Sequence, residues 1–339
     1  MPSFSPYFDK LFEAGIDPEP GHGPSDQPSD WPSLQEVRCY VEKARKQVDE
    51  GIERVSQERL HVAIEHRLMH AETLAYLLQN RDWETRPVQD LAQRGTAPEN
   101  PLIAISAGAA TLGQAAGRFG WDNEFSEHSV AVPAFAISKY NITNGEYLRF
   151  VETTGAAAPH FWTRQNDAWF YQGMFGLIPL PLDWPVYVMH DEASAYAKWV
   201  GKSLPTEPQF HRAAYGTPEG SERAYPWGDA SPRSAHGNFD FHHWDPIPVT
   251  ATPAGDSAFG VSQLLGNGWE WTSTVFAPFD GFQPRGYYPG YSANFFDHAH
   301  FVIKGGSPRT AACFLRRSFR NWFRPNYPYV YAGFRLVEN

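Results

Sequence analysis

The 339-residue sequence predicts an α+β protein, with a helical N-terminal region followed by a larger domain that has little regular secondary structure. Apolar residues recur at helical spacing only up to about residue 85. Beyond residue 100, short β-like runs alternate with Gly/Pro turns. An aromatic content of 15%, with 28 Gly and 29 Pro, favours a loop-rich fold stabilised by aromatic packing. We therefore expect a helical domain at 1–85, a linker at 86–100 and a second domain at 101–339.

The first predicted helix begins at a capping box, the stretch from Ser33 to Glu36. A serine at this position accepts a hydrogen bond from the glutamate N–H, and the glutamate accepts one in return. Apolar residues then recur at steps of three and four, which is typical of one face of an amphipathic helix. These residues are Leu34, Val37, Val41, Ala44, Val48, Ile52 and Val55.

A second helix is predicted from about Gln57 to Gln79, and it carries His66 and His70. Four residues apart, the two imidazoles share one face and could offer two nitrogens to a transition metal. The pair could equally be core histidines bonded to backbone or to a carboxylate. Small or apolar residues on two sides of this helix indicate a bundle position, so we expect the histidines to face a neighbour rather than water. The main apolar stripe is formed by Leu60, Ile64, Leu68, Ala71, Leu74, Ala75 and Leu78.

Two further helices are predicted at 143–155 and 190–201, because each stretch begins at a polar capping residue and ends at a glycine. The runs "HSVAVPAFAISKY" and "HFVIKGG" are typical of short strands.

The composition excludes several classes of partner. The formal charge is −10 and no Lys/Arg block is present, so nucleic acid is not expected as a partner. The sequence has no apolar run of membrane-spanning length and no charged-then-apolar N-terminal signal, which predicts a cytoplasmic protein without membrane association. The only cysteines, Cys39 and Cys313, lie in regions of different character, so a disulfide framework is not expected.

A series of motifs resembles the formylglycine-generating-enzyme (sulfatase-modifying factor) fold, a C-type-lectin-like domain. The series covers about residues 100–339 and reads "ISKYNITNGEYLRFV", "PVYVMHDEASAYAKWVGKSLPTEPQFHRAAYG", "YPWGD", "GNGWEW", "KGGSP" and "RRSFRNWFRPNYPYVYAGFR". His66-x-x-x-His70-x-Glu72, combined with Phe319-Arg320-Asn321-Trp322, further resembles the nonheme iron sulfoxide synthases of ergothioneine and ovothiol biosynthesis. Those proteins join this fold to a DinB-like helical bundle.

The resemblance implies an Fe(II) enzyme that joins cysteine or γ-glutamylcysteine to the imidazole C2 of Nα-trimethylhistidine with O₂, and oxidises the sulfur to a sulfoxide. It implies that His66 and His70 bind the iron and that Glu72 pairs within the bundle. It further implies that Tyr288 supplies a proton and that the substrate-binding residues are Tyr291, Asn321, Trp322 and Arg320 or Arg324. In "GNGWEW", Asn267 and Glu270 resemble a turn that often holds Ca²⁺, although a structural role is an alternative.

The sequence departs from the family pattern in the helical region. Met69 stands where the family often has a glutamine that bonds the substrate imidazole, and methionine cannot donate that bond. The family's third iron-binding histidine lies on an earlier helix, for which the candidates here are His22, in a loop, and His61, on another side of its helix. The first helices of the family's bundle are expected to be absent from this chain. We therefore expect one of three situations: a start upstream of Met1, a second chain or an oligomer that supplies those helices, or a loss of iron chemistry.

Two other functions remain open. The chain could be a non-catalytic or metal-free protein that binds a small cationic or amino-acid ligand in the same fold. A formylglycine-type copper oxidase is disfavoured, because Cys313 is the only cysteine after Lys304 and a two-thiolate copper site needs a pair.

Overall fold

The computed structural model describes residues 5–12, 27–81, 87–88 and 95–339. The chain divides into two compact units, residues 1–63 and 64–339. Of the predicted linker at 86–100, residues 86 and 89–94 lie outside the described residues, and the predicted boundaries of the two domains stay predictions. Within the described part of the chain, no helix is both long and apolar enough to cross a bilayer.

The first unit is helical. It contains α1 (Pro6–Phe12), α2 (Leu34–Gly51) and the first turns of α3 (Gln57–Gln79). The expected capping box is present: Ser33 Oγ accepts from the Glu36 N–H, and the Glu36 carboxylate accepts from the Ser33 N–H at 2.9 Å. The two predicted N-terminal helices are therefore confirmed.

The second unit is built on short strands around irregular loops. The strands are β1 (Leu102–Ile105), β2 (Gly108–Leu112), β3 (His128–Val132), β4 (Phe135–Ser138), β5 (Trp162–Gln165), β6 (Ala168–Gln172), β7 (Leu177–Pro179), β8 (Gly268–Val275), β9 (Phe301–Gly306), β10 (Asn321–Phe323), β11 (Ala332–Gly333) and β12 (Val337–Glu338). They form sheets in the orders β1-β4-β12, β10-β9-β8-β11, β2-β3 and β5-β6-β7. Within the second of these sheets, antiparallel β8 and β9 place Trp271 opposite Ile303.

Besides most of α3, the described part of this unit contains the α-helices α4 (Asn144–Thr154), α5 (His190–Trp199) and α6 (Glu207–Tyr215). Helix α4 is capped by Thr143 at its start and by Gly155 at its end, and the φ of 72° at Gly155 is a conformation that glycine adopts at little cost. The predictions at 143–155 and 190–201 are thus confirmed. Helix α6 was not predicted, although Thr206 and Gln209 form a capping box at its start.

The core of the second unit joins residues far apart in sequence. Strand β12, at the C-terminus, pairs with β4, so that Val337 lies opposite Ile137. Apolar side chains from this sheet, from α6 and from the loop before β8 form one buried cluster. Its members include Ile105, Ile137, Phe210, Val261, Leu264 and Val337.

From Ile64 onward, α3 packs against the rest of the second unit through polar residues. Glu65 and Gln79 are buried, and Glu72 is partly buried. The predicted apolar stripe is not the packed face: Ile64, Leu74 and Leu78 are 51%, 57% and 54% exposed. The sequence pattern was misleading here because the anchors of this helix are hydrogen bonds and ion pairs, which apolar periodicity does not detect.

Candidate functional site

The two histidines of α3 lie next to each other. The ring centroids of His66 and His70 are 4.6 Å apart, with an angle of 76° between the ring planes. His66 is partly buried, whereas His70 is exposed, so only the first ring is shielded from water as expected. Burial lowers the pKa of His66, and the neighbouring His70 lowers it further. A neutral His66 has a nitrogen lone pair available to a metal or a proton.

Tyr288 faces this pair from a turn that follows Arg285. Its hydroxyl oxygen lies 3.4 Å from His66 Nε2, and the two ring centroids are 5.5 Å apart. Burial raises the pKa of Tyr288, so the phenol holds its proton at neutral pH. A protonated phenol beside a neutral imidazole can donate a proton to a group bound near His66.

Tyr291 continues the row of rings away from the histidines. Its centroid lies 5.7 Å from that of Tyr288, and its face stacks on Trp121 at 3.9 Å. Its buried hydroxyl points to the Met69 sulfur at 3.8 Å, and a thioether is only a weak acceptor.

Asn321 and Trp322, on β10, lie at the end of this row. The Trp322 and Tyr291 centroids are 5.4 Å apart, edge to face. Phe276 stacks on Trp322 at 4.2 Å and covers one face of the indole. The Oδ1 atom of Asn321 accepts from the Trp322 N–H at 2.9 Å, which leaves the side-chain NH₂ as a donor. The structure thus brings together His66, His70, Tyr288, Tyr291, Asn321 and Trp322.

Arg320, one of the two arginines predicted to hold a substrate carboxylate, is paired within the protein instead. Its guanidinium is buried and binds both carboxylate oxygens of Glu207, with nitrogen–oxygen distances of 3.0 to 3.2 Å. A guanidinium already paired in this way is not available to a substrate carboxylate. Arg324, the alternative candidate, is partly buried rather than enclosed.

Asn267 and Glu270, predicted as possible calcium ligands or as structural residues, are paired within the protein as well. Glu270 is fully buried and faces the Arg335 guanidinium, at 2.8 and 3.0 Å from Nε. Asn267 Oδ1 accepts from the Ile247 N–H at 2.9 Å and from Asn238 Nδ2 at 3.1 Å. Because a cation already neutralises Glu270 and backbone and amide donors occupy Asn267, these oxygens stabilise the fold, which was the alternative prediction.

Glu72 bonds the lectin-like part of the chain instead of pairing within the bundle. Its carboxylate accepts from Trp269 Nε1 at 2.9 Å, from Ser307 Oγ at 2.5 Å and from Thr310 Oγ1 at 2.8 Å. Burial raises the pKa of Glu72, and these three donors oppose that rise. Glu72 therefore anchors the helix that carries the histidines.

The side chains of this site that could bind a metal are the imidazoles of His66 and His70. In the part of the chain that the structure describes, no cluster of three or more His, Cys, Asp or Glu side chains could hold a metal ion. His22 lies outside the described residues, and His61 is exposed in the first unit. His66 and His70 therefore fit two positions of a histidine-held metal site, and no third His, Cys, Asp or Glu side chain among the described residues completes it.

Comparison with protein families identifies the second unit. A model described as "Sulfatase-modifying factor enzyme 1-like domain" matches residues 87–339. The chain belongs to this family.

Within the family, the chain is similar to proteins named hercynine oxygenase. The one from Mycolicibacterium thermoresistibile is 34% identical over 98% of this chain and 80% of its own length. The one from Mycobacterium tuberculosis is 38% identical over 64% of this chain and 55% of its own length. "Ergothioneine biosynthesis protein 1" from Neurospora crassa is 29% identical over the whole chain, which spans about half (51%) of that protein.

A solved structure shows the same fold. PvdO from Pseudomonas aeruginosa superposes with a TM-score of 0.51 at 24% identity, over 70% of this chain and 93% of that one. The predicted fold class is confirmed: N-terminal helices followed by a sulfatase-modifying factor domain with sparse strands.

Sequence reasoning missed the residues beside the site that belong to neither α3 nor the C-terminal motifs. Trp121, Asp122 and Glu124 are buried in the stretch "GWDNE", although a run of Asp, Asn and Glu is typical of an exposed turn. Arg316 was also missed, although it lies at the start of the motif "RRSFRNWFRPNYPYVYAGFR". The only sequence signal was three consecutive polar residues between aromatic ones, and it did not identify their partners.

Proposed function

We propose that this protein is a nonheme iron-dependent sulfoxide synthase of ergothioneine biosynthesis. It joins a cysteine-type thiol to the imidazole C2 of Nα-trimethylhistidine (hercynine), with O₂ as oxidant. The observation that carries the proposal is the 3.4 Å approach of the Tyr288 hydroxyl to His66 Nε2, in a chain similar to hercynine oxygenases.

His66 and His70 would hold the iron through imidazole nitrogens, a ligand type that suits Fe(II). Bound Fe(II) would supply the activation of O₂. Tyr288 would hold a proton at its phenolic oxygen and deliver it beside the histidines, because burial keeps the phenol protonated.

The trimethylammonium group would bind against aromatic rings. Tyr291 and Trp322 meet edge to face, and a cation over such rings gains roughly 0.5–2 kcal/mol, depending on its desolvation. Because Phe276 covers one indole face, the cation would use the other. The side-chain NH₂ of Asn321 would donate to the same substrate.

The carboxylate of the thiol substrate, cysteine or γ-glutamylcysteine, would bind Arg324 rather than Arg320. Glu207 already neutralises Arg320, whereas Arg324 is not enclosed. Because Met69 replaces a hydrogen-bonding side chain near Tyr291, the substrate imidazole would be oriented by other groups.

The decisive experiment measures Fe(II) uptake in anaerobic titration, then O₂ consumption on adding trimethylhistidine and cysteine. We expect uptake that is lost in His66→Ala and His70→Ala and retained in His61→Ala, an exposed histidine of the same helix. Failure of the full chain to take up iron, or uptake that is equal in all three variants, would argue against the proposal.

A metal-free binding protein is the second candidate, because the described residues offer only two imidazoles to a metal. Calorimetry with trimethylhistidine in the presence of a chelator separates the two functions. Full affinity without metal, together with no O₂ consumption after iron loading, would favour the binding protein. A formylglycine-type oxidase is less favoured, because Cys313 is the only cysteine after Lys304 and a two-thiolate copper site needs a pair.

A further inference from the structure

Arg316 holds two buried carboxylates together beside the histidine helix. Its Nη1 lies 2.6 Å from Glu65 Oε1, and its Nε lies 2.8 Å from Glu124 Oε2. Glu65 immediately precedes His66 on α3, whereas Glu124 belongs to the loop between β2 and β3. One guanidinium therefore ties the helix that carries the histidines to a loop of the lectin-like domain.

Trp121 reinforces the same connection. Its indole Nε1 donates to Glu65 Oε2 at 2.8 Å, and its backbone N–H donates to Glu124 Oε1 at 2.8 Å. The side chain is fully buried, and one face stacks on Tyr291 at 3.9 Å. The Trp121 ring also meets Tyr288 at 6.2 Å, edge to face.

Trp121 is thus bonded to the helix on one side and packed against both tyrosines on another. Glu65 and His66 are neighbours on α3, so fixing the Glu65 carboxylate holds the rotation of the helix and hence the direction in which the His66 side chain leaves it. Stacking fixes Tyr291, and the edge contact limits the movement of Tyr288. A single rigid side chain therefore touches both halves of the candidate site.

We propose that Trp121, held by Glu65 and Glu124, is a positioning residue that sets the separation between the His66 ring and the Tyr288 hydroxyl. It acts on the helix through Glu65 and on the two tyrosines through its ring contacts. The catalytic consequence of this inference rests on the proposed function, whereas its structural consequence does not.

The test is Trp121→Phe, which keeps an aromatic stack but removes the bond to Glu65. Trp271→Phe is the matched control: Trp271 is equally buried and donates its indole N–H at 2.8 Å, but to the Val188 carbonyl.

We expect Trp121→Phe to accelerate amide hydrogen exchange at 66–72 in the metal-free protein. We expect kcat to fall about tenfold or more, with KM for trimethylhistidine changed less than about threefold, because small misplacements of reacting groups strongly lower the rate. Trp271→Phe should change neither the exchange at 66–72 nor kcat by more than about twofold, because the indole of Trp271 bonds the Val188 carbonyl and not the histidine helix.

Glu65→Gln is the second variant, in case Trp121→Phe does not fold. It keeps an acceptor for the indole but removes the charge that Arg316 binds, so it should accelerate exchange over the same residues. The inference is overturned if folded variants exchange at the wild-type rate, if the control accelerates 66–72 equally, or if KM rises while kcat is unchanged. If the wild-type protein shows no iron-dependent turnover, the proposed function fails, and hydrogen exchange alone decides the positioning role.

Discussion

At the scale of single residues, burial has opposite effects on the two groups that meet at the centre of the site. It raises the pKa of Tyr288 and lowers the pKa of His66. Both effects disfavour the charged form, so the phenol keeps its proton and the imidazole keeps a lone pair at neutral pH. A proton donor and a nitrogen ligand therefore lie 3.4 Å apart without either being ionised.

Replacing Tyr288 with Phe removes the proton donor and retains the ring. We expect kcat for sulfoxide formation to fall by about 10²–10⁴-fold, the usual contribution of general acid–base catalysis, with little change in KM for trimethylhistidine. Steady-state kinetics against Tyr287→Phe provides the control, because Tyr287 is 41% exposed and directly precedes Tyr288. A Tyr288→Phe enzyme as fast as this control would show that the hydroxyl has no catalytic role.

At the scale of elements, α3 is anchored by three polar side chains at seven-residue spacing. Seven residues turn an α-helix to within about 20° of two full turns, so Glu65, Glu72 and Gln79 lie along one face. Glu65 binds Arg316. Glu72 binds Ser307 and Thr310. The side-chain oxygen of Gln79 accepts from Arg309 Nη1 and from the Tyr331 hydroxyl, both at 2.6 Å. The contacting residues come from several parts of the lectin-like domain. Directional bonds of this kind fix the rotation of the helix, and hence the direction of its histidines.

Glu72→Ala should destabilise the protein, because it leaves the hydrogen-bond donors of Trp269, Ser307 and Thr310 without their acceptor. Unsatisfied buried groups cost about 1–3 kcal/mol, so we expect a loss of that order in the free energy of unfolding. Urea unfolding measures it, with Arg67→Ala, an exposed residue on the same helix, expected to stay within about 0.5 kcal/mol of wild type. Equal stability of the two variants would mean that Glu72 is not an anchor.

At the scale of the whole molecule, several buried tyrosines of the second unit hold their phenolic protons more tightly than exposed tyrosines do. Burial is the largest cause of a raised pKa at Tyr147, Tyr171, Tyr187, Tyr196, Tyr215 and Tyr291. The pKa of Lys304 shifts in the opposite direction, since burial lowers it to about 8.

These shifts predict the alkaline limit of stability. The unfolded chain loses phenolic protons near pH 10 while the folded chain keeps them, so stability falls above about pH 10, by roughly 1.4 kcal/mol per pH unit for each such tyrosine. Between about pH 8 and 10, Lys304 has the opposite effect: the stability rises with pH, because the folded protein has then released a proton that the unfolded chain retains. Urea unfolding from pH 7 to 11, with phenolate absorbance recorded in parallel, tests the prediction. Exposed tyrosines such as Tyr7, Tyr287 and Tyr329 will ionise in the folded protein, and ionisation of the buried tyrosines while the native circular dichroism persists would contradict the prediction.

Local interactions made part of this protein readable from its sequence. The capping boxes at Ser33 and Thr143 and the glycine after α4 act within a few residues, so they could be located without the fold. The row formed by His66, Tyr288 and Trp322 could be anticipated only through motif resemblance, because no local rule relates residues more than 200 positions apart.

The amino-acid sequence by itself determined helices α2 to α5 and the fold class and, through motif resemblance, the row formed by His66, Tyr288 and Trp322. Tertiary structure alone decided which polar groups are already satisfied. Arg320 and Glu270 have the residue types of ligand-binding groups, yet Glu207 and Arg335 neutralise them in the core. The physical reason is that a buried charge must find its partner wherever the fold places one, and that partner is invisible to spacing and periodicity.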